Sequence, residues 1–129
     1  MDNSKTRILI VEDDQFLREF YQELLQSEGY TVDVAPDGEI ASNKVHQGDF
    51  HLILLDIMLP KKDGLQILRE NKMAPSLKPN GKIVMLTNLG QDAVIKEAFQ
   101  LGAVGYLIKS SLNPDQVLNE IHNYLNPAK

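Results

Sequence analysis

The chain has 129 residues, the size of one common domain, and we expect a single domain over residues 1–129 with its packed core at about 6–126. With 43% hydrophobic and 24% charged residues, it can bury a core and is not disordered by composition. The net charge of −5 argues against a protein that binds the backbone of nucleic acids, because such a protein needs a basic face. The lack of cysteine excludes disulfides, zinc–thiolate sites and thiol catalysis.

No segment has the character of a signal peptide or a membrane span. Residues 1–6 are polar and lack the apolar region of a signal peptide. Unbroken apolar runs reach about four residues, whereas a helix needs ~20 to cross a bilayer. We therefore expect a cytoplasmic protein with neither a membrane nor a nucleic acid as a direct partner.

Short apolar runs predict the strands, which we take in chain order. Runs rich in Ile, Val and Leu lie at residues 8–11, 52–55, 83–86 and 104–108, and such runs are typical of strands buried on both faces of a parallel sheet. The segment 30–35 alternates apolar and polar residues instead, which favours a half-covered edge strand.

Amphipathic stretches between the runs predict helices. An apolar stripe at helical spacing covers 16–25 and stops at Gly29, and another covers 94–102. Asn113 and Pro114 are typical of a helix start, and Val117 and later apolar residues give that helix a buried face. Weaker patterns, with Asp37 at the start of the first, predict helices at 37–47 and 64–73, and two prolines and an Asn-Gly turn predict a surface loop at 74–82.

Five β-α units in sequence predict an α/β fold, a doubly wound parallel sheet with helices on both faces. Ligands of such sheets bind beyond the carboxyl ends of the strands, where the strand order reverses. The first predicted strand runs into Glu12-Asp13-Asp14, and the third ends in Asp56. If the strands are ordered 2-1-3-4-5, these carboxylates converge in one crevice. Thr87 ends the fourth strand and Lys109 follows the fifth.

These residue types predict phosphoryl transfer. Three or four close carboxylates need a counter-charge, which a magnesium ion with its preference for oxygen ligands supplies. Lys109 adds a fixed positive charge, and the Thr87 hydroxyl can hydrogen-bond a phosphoryl oxygen. Because acids stand where a glycine-rich phosphate loop would lie, we expect the phosphoryl group to be bonded covalently to Asp56.

Simpler roles compete at each position taken alone. An acidic residue before a helix is often only its N-cap, and Asp14 is the best candidate for that role. The three histidines show no metal spacing and no nucleophile partner, so we expect them to be solvated or structural: His46, His51 and His122.

The motifs together resemble the receiver domain of two-component response regulators, over essentially the whole chain. They are Ile8-Leu-Ile-Val-Glu-Asp-Asp14, Leu54-Leu-Asp-Ile-Met-Leu-Pro60 with Asp63-Gly64, Met85-Leu-Thr87 and Tyr106-Leu-Ile-Lys109. The resemblance implies the flavodoxin-like fold with strand order 2-1-3-4-5. It also implies that Asp56 takes a phosphoryl group from a phosphohistidine of a sensor histidine kinase or phosphotransfer protein, or from small phosphodonors.

The resemblance further assigns roles to individual residues. It implies Mg²⁺ held by the Asp13 and Asp56 side chains and the Met58 backbone carbonyl, with Glu12 acting through water. Lys109 would pair with Asp56 and its phosphoryl group. Thr87 would move toward the phosphoryl oxygen and let Tyr106 turn inward. That movement couples the site to the face of the fourth helix, fifth strand and fifth helix, where receivers dimerise or bind a downstream target protein.

Two positions depart from the family pattern. Receivers usually carry proline after the lysine, often with a cis peptide, whereas Ser110 follows Lys109 here. We expect a trans bond, because a cis bond before a non-proline residue costs about 2.5–4 kcal/mol. Asn88 replaces a small residue, and with Met58 and Leu89 it affects the access of water to the phosphoryl group and so the lifetime of the mark.

Three other functions compete with this interpretation. A receiver-like module that binds partners without phosphorylation would be expected to lack Asp56, Asp13 or Lys109, and all three are present. An aspartate-nucleophile phosphatase needs a second acid two residues after the nucleophile, where this chain has Met58. A flavodoxin-like redox protein needs a hydroxyl-rich phosphate loop, and the acids after the first strand would repel that phosphate. The kinase, the target, the oligomeric state and whether the chain stands alone or is part of a longer regulator stay open.

Overall fold

Strands and helices alternate along the chain in the computed structural model, which describes residues 2–88, 92–109 and 113–126. The strands are β1 (Arg7–Val11), β2 (Thr31–Ala35), β3 (Leu52–Asp56), β4 (Lys82–Thr87) and β5 (Gly105–Ile108). The helices are α1 (Gln15–Ser27), α2 (Gly38–Gln47), α3 (Gly64–Met73), α4 (Asp92–Gln100) and α5 (Pro114–Leu125). The predicted loop at 74–82 corresponds to the connection between α3 and β4.

All neighbouring strands are parallel, in the order β2-β1-β3-β4-β5, which confirms the expected fold and strand order. β2 is an edge strand, as its alternating sequence predicts. β5 is the other edge, so the expectation that it is buried on both faces was wrong. Val104 just before β5 is 49% exposed and Tyr106 within it is 42% exposed. A short apolar run with a glycine inside it does not reveal whether a second neighbouring strand is present.

Alternate residues of the strands point to two separate cores, because successive side chains of a strand face opposite sides of the sheet. Ile8 and Ile10 pack under α1 and α5, together with Tyr21 and Leu25 of α1. On the other face, α2, α3 and α4 cover the intervening strand residues, among them Leu9, Val11, Ile53, Leu55, Ile83 and Met85. The three central strands are thus covered on both sides, and their carboxyl ends stay open at one edge.

The helices on the carboxyl side of the sheet begin at capping side chains. Asp14, Asp37 and Asn113 each accept a hydrogen bond from a backbone N–H in the first turn of their helix, as expected from the sequence. Asp63 caps α3 in the same way. Each cap satisfies a helical N–H that has no partner within the helix. These caps therefore stabilise the starts of α1, α2, α3 and α5 at the open edge of the sheet. Within the described residues, no helix is long and apolar enough to span a membrane.

Candidate functional site

Three carboxylates converge where β1 and β3 end. Glu12 follows the last residue of β1, and Asp56 is the last residue of β3; their residues are 0% and 2% exposed. Asp13 is exposed to solvent. One oxygen of each of the three carboxylates lies within 4.8 Å of the others. Because β1 and β3 are adjacent in the sheet, the strand order itself brings these acids together.

Lys109 provides the positive charge inside this cluster. Its Nζ donates a 2.6 Å hydrogen bond to Asp56 Oδ2 and forms an ion pair of 2.8 Å with Glu12 Oε1. The backbone carries Lys109 here from the end of β5, where its N–H donates to the Thr87 carbonyl at 2.8 Å. The side chain of Lys109 is only 11% exposed, so solvent screens these contacts weakly.

Burial and crowding change the pKa values of this group. Burial raises the pKa of the Glu12 carboxyl, and its contact with Asp56 raises it further, while Lys109 opposes the shift. Burial alone would lower the pKa of Lys109, but its contacts with Asp56 and Glu12 outweigh burial and raise that pKa. The ammonium group therefore stays protonated beside the acids. Two of the three acids share one cation, which leaves the cluster with excess negative charge.

The turn after β3 fixes Asp56. The Met58 N–H donates to Asp56 Oδ1 at 3.2 Å, and the Gly64 N–H donates to the Ile57 carbonyl at 2.8 Å. A Cβ atom at Gly64 would lie 2.3 Å from the Asp56 carbonyl oxygen. Only glycine therefore allows α3 to start this close to the end of β3.

Thr87 lies next to this cluster, at the carboxyl end of β4. Its side chain is fully buried, and its Oγ1 donates to the Asn88 carbonyl at 3.0 Å. β4 is paired with β3 on one side and with β5 on the other. The threonine hydroxyl thus lies between the strand that carries Asp56 and the strand that leads to Lys109.

Tyr106 does not lie at the cluster. Its ring is 42% exposed and packs edge-to-face against Phe99 with ring centroids 6.5 Å apart. Next to it lies a groove of about 800 Å³, lined by Tyr21, Tyr106, Gln116, Glu120 and Tyr124 among others. The outward ring therefore borders open space on the face formed by α4, β5 and α5.

Asp14 has the structural role that the sequence favours. Its Oδ1 accepts the Leu17 N–H at 3.0 Å as the N-cap of α1, and its own N–H donates to Glu12 Oε2 at 3.2 Å.

The side chain of Met58 is 66% exposed beside a shallow pocket of about 500 Å³ that Asp13 also lines. The acidic cluster is therefore open to solvent on the side of Asp13 and Met58.

The side chains present fit a hard divalent cation. The available donors are carboxylate oxygens, the ligands that Mg²⁺ prefers over nitrogen or sulfur. The excess negative charge of Glu12, Asp13 and Asp56 over Lys109 gives such a cation an electrostatic reason to bind. An open side toward solvent suits Mg²⁺, which usually keeps several of its waters.

Sequence reasoning missed two residues of the site. Arg18 in the first turn of α1 donates to the main-chain carbonyls of Glu12 and Asp13. Tyr21 is 1% exposed, and burial together with the charges of Glu12 and Asp56 raises its pKa to about 12. The available indication for Arg18 in the sequence is that it is a lone basic residue about one helical turn after the acidic run 12–14. Tyr21 looks like any other apolar position of an amphipathic helix.

Two residues of interest lie outside the described residues. One is Ser110, so the trans geometry of the peptide that joins it to Lys109 stays a prediction. Leu89, one of the residues expected to control access of water, is also outside. The neighbouring Asn88 is described and exposed.

The site geometry agrees with a family comparison. The family model described as "Response regulator receiver domain" matches residues 8–122, most of the chain. The chain belongs to the response regulator receiver domain family. Receivers are, as a rule, signalling domains of two-component systems and not enzymes that act on a separate substrate.

The curated relatives of this receiver include a protein about twice as long and one of about the same length. It is 32% identical to the transcriptional regulatory protein ResD of Bacillus subtilis, over 97% of this chain and 50% of that protein. It is 31% identical to the chemotaxis protein CheY of Halobacterium salinarum, over 92% of this chain and 96% of that protein. The chain spans about half the length of the first curated relatives that it matches.

A solved receiver structure shares the fold. The response regulator protein TrrA of Thermotoga maritima, solved in complex with Mg²⁺ and beryllofluoride, is 33% identical to this receiver. The two superpose with a TM-score of 0.77, covering 93% of this chain and 99% of that one.

Proposed function

We propose that Asp56 of this receiver accepts a phosphoryl group from a phosphohistidine of a sensor histidine kinase or phosphotransfer protein, or from a small phosphodonor. The observation that carries the proposal is the position of the Asp56 carboxylate, held between Lys109 and the Met58 N–H beside two further acids. The Lys109 bond fixes the carboxylate in place, and the open side toward Met58 gives a donor access to it.

The proposed reaction is a direct transfer. A carboxylate oxygen of Asp56 forms a bond to phosphorus as the phosphorus–nitrogen bond of the phosphohistidine breaks. The departing imidazole keeps the electron pair of that bond, and no proton moves to or from Asp56. The Lys109 ammonium, already 2.6 Å from Asp56 Oδ2, offsets negative charge on the transferring phosphoryl oxygens. Later attack by water on phosphorus restores the carboxylate and releases inorganic phosphate.

The metal that this reaction requires is Mg²⁺. In the proposed site, the Asp13 and Asp56 carboxylates and the Met58 backbone carbonyl would hold it, and Glu12 would act through water. When bound, Mg²⁺ spreads the negative charge that develops on the phosphoryl oxygens. The convergence of three carboxylates within 4.8 Å supports this assignment. TrrA, a relative of the same fold, was solved with Mg²⁺ and beryllofluoride.

Thr87 and Tyr106 form the proposed switch. The Thr87 hydroxyl lies at the end of the strand beside Asp56, where it can hydrogen-bond a phosphoryl oxygen after a small shift. That shift vacates space for the Tyr106 ring, which borders a groove on the outer face. Phosphorylation then selects one of two packings of α4, β5 and α5.

The partners follow from this switch. A sensor histidine kinase or phosphotransfer protein delivers the phosphoryl group, and the switched face binds a downstream target protein or a second copy of the chain.

The domain itself catalyses only its own phosphorylation and dephosphorylation. We place it in the cytoplasm, in direct contact with neither membrane nor nucleic acid. The rival module that works without phosphorylation shares the fold but makes no use of the Lys109–Asp56–Asp13 arrangement.

Beryllofluoride binding tests the proposal against this rival. The chain has four tyrosines and no tryptophan, so tyrosine fluorescence follows binding, and Tyr21 is buried close to the site. We expect wild type to bind Mg²⁺ and then beryllofluoride, and Asp56→Asn to lose the beryllofluoride response. A wild type that responds to neither ligand, or an Asp56→Asn variant that responds like wild type, contradicts the proposal.

A further inference from the structure

We propose that Arg18 is a positioning residue of the divalent-cation site, holding the main chain of Glu12 and Asp13 so that the Asp13 carboxylate faces the cation. The inference rests on the proposed magnesium site. Arg18 itself is not a ligand and does not touch the phosphoryl group. It acts through the two acidic residues that precede α1.

The contacts are made by one guanidinium nitrogen. Arg18 Nη1 donates to the Glu12 carbonyl at 3.0 Å and to the Asp13 carbonyl at 3.3 Å. Both carbonyls lie beyond the end of β1 at Val11, so the regular strand pairing no longer holds them. Side chains of a helix lean toward its N-terminus, which lets Arg18 reach back over the preceding turn.

Asp13 is the acid that depends most on this main-chain support. Glu12 is buried and accepts the Asp14 N–H, while the Asp14 side chain accepts the Leu17 N–H. The Asp13 side chain is exposed, and within residues 2–88, 92–109 and 113–126 its carboxylate accepts no hydrogen bond. The direction of that carboxylate is therefore set by the backbone, and Arg18 donates to the carbonyl on each side of the Asp13 Cα.

The stability of α1 does not explain an arginine at this place. A positive side chain in the first turn opposes the helix dipole, which favours negative charge there. Gln15 to Arg18 contain no acidic residue that would offset it within the helix. The two carbonyl contacts and the nearby acids are what compensate the guanidinium. A residue placed against the preference of its own helix points to a role outside that helix.

An effect of Arg18 through its charge and an effect through positioning predict opposite changes in Mg²⁺ affinity when Arg18 is replaced. If Arg18 acted only through its charge, it would repel the cation, and its removal would strengthen Mg²⁺ binding. If it positions the Glu12–Asp13 backbone, its removal weakens Mg²⁺ binding in spite of the lost repulsion. The sign of the change in Mg²⁺ affinity therefore distinguishes the two roles.

The test is Mg²⁺ titration of the full chain by tyrosine fluorescence. The variants are Arg18→Gln, Arg18→Lys and, as control, Arg69→Gln. Arg69 lies on α3 in an ion pair with Glu97, so its replacement removes the same charge away from the site. We expect Arg18→Gln to raise the Mg²⁺ Kd about tenfold, as loss of outer-shell support typically does. Arg18→Lys keeps the charge with a shorter donor and should give an intermediate Kd, and Arg69→Gln should match wild type.

An Arg18→Gln variant with an unchanged or lower Kd overturns the inference. Should that variant lack a cooperative thermal transition, Arg18→Lys decides: a raised Kd supports the inference, and a Kd equal to that of wild type overturns it. Failure of the proposed function looks different, because wild type itself would then not bind Mg²⁺.

Discussion

Lys109 donates a 2.6 Å hydrogen bond to Asp56 Oδ2 across 53 positions of the sequence, and the same ammonium pairs with Glu12 at 2.8 Å. One cation thus joins the ends of β5, β3 and β1. These two contacts hold the acceptor carboxylate of Asp56 at the carboxyl edge of the sheet.

Replacing Lys109 by Gln should destabilise the domain by about 2 kcal/mol in EDTA, because Asp56 and Glu12 lose the hydrogen-bonded positive charge beside them. Added Mg²⁺ should recover part of the loss. Urea unfolding in EDTA and in Mg²⁺ measures the loss of stability and its recovery. Lys44→Gln is the matched control, since Lys44 pairs with Asp33 at 2.7 Å at the surface and its loss should cost under about 1 kcal/mol. Equal losses of unfolding free energy in the two variants would show that the buried contacts of Lys109 stabilise the domain no more than the surface contact of Lys44.

Replacing Asp13 by Asn should stabilise the metal-free domain by up to about 1 kcal/mol, because one of three mutually repelling carboxylates is neutralised. The same variant should lose most of the stabilisation that Mg²⁺ gives wild type. Unfolding in EDTA and in Mg²⁺ measures both effects. Asp115→Asn changes the net charge equally, in the first turn of α5 and outside the three-carboxylate cluster, and should keep the full response to Mg²⁺. A loss of metal-free stability in Asp13→Asn would argue against repulsion within the cluster.

Tyr21 should make stability depend on alkaline pH. Its folded pKa of about 12 exceeds the ordinary value of 10.0, so the unfolded chain releases this proton first. The stabilising contribution is complete below about pH 10 and is lost as the pH rises toward 12. At about pH 11, wild type should have lost about 1 kcal/mol more than Tyr21→Phe, relative to neutral pH. Parallel curves for the two proteins would contradict the raised pKa.

Gly64 should be more sensitive to a methyl group than Gly105. A Cβ atom at Gly64 meets the Asp56 backbone carbonyl at 2.3 Å, whereas one at Gly105 meets the Tyr124 hydroxyl, the end of a side chain, at 1.8 Å. Gly64→Ala should therefore cost about 1–3 kcal/mol and slow phosphorylation of Asp56. Gly105→Ala should displace Tyr124 and leave the phosphorylation rate near that of wild type. The reverse order of the two rates would rule out this account of the turn after β3.

The strand ends were predictable from sequence because parallel strands bring their carboxyl ends to one edge. Glu12, Asp56 and Thr87 each come directly after or at the end of an apolar run, and the structure places all three at that edge. The exposure of Tyr106 was not predictable in the same way. Its strand reads as apolar, and the sequence does not reveal that it lies at the edge of the sheet with the Tyr106 ring exposed.

Arg18 was not predictable because its role depends on side-chain direction. The sequence places it in the polar part of an amphipathic helix, where a solvated arginine is ordinary. Its two acceptors are backbone carbonyls, which every residue has and no pattern of side chains reveals. The predicted chemistry of the acidic cluster therefore came from residue types, while the support of that cluster required coordinates.

Phosphorylation of Asp56 is tested most directly by locating the phosphoryl group on the chain. Wild type, Asp56→Asn and the control Asp115→Asn are incubated with acetyl phosphate and Mg²⁺ and analysed by intact-mass spectrometry. We expect wild type and Asp115→Asn to gain the mass of one phosphoryl group only when Mg²⁺ is present, and Asp56→Asn to gain none. Labelling of Asp56→Asn at the wild-type rate, or no labelling of wild type, would contradict it.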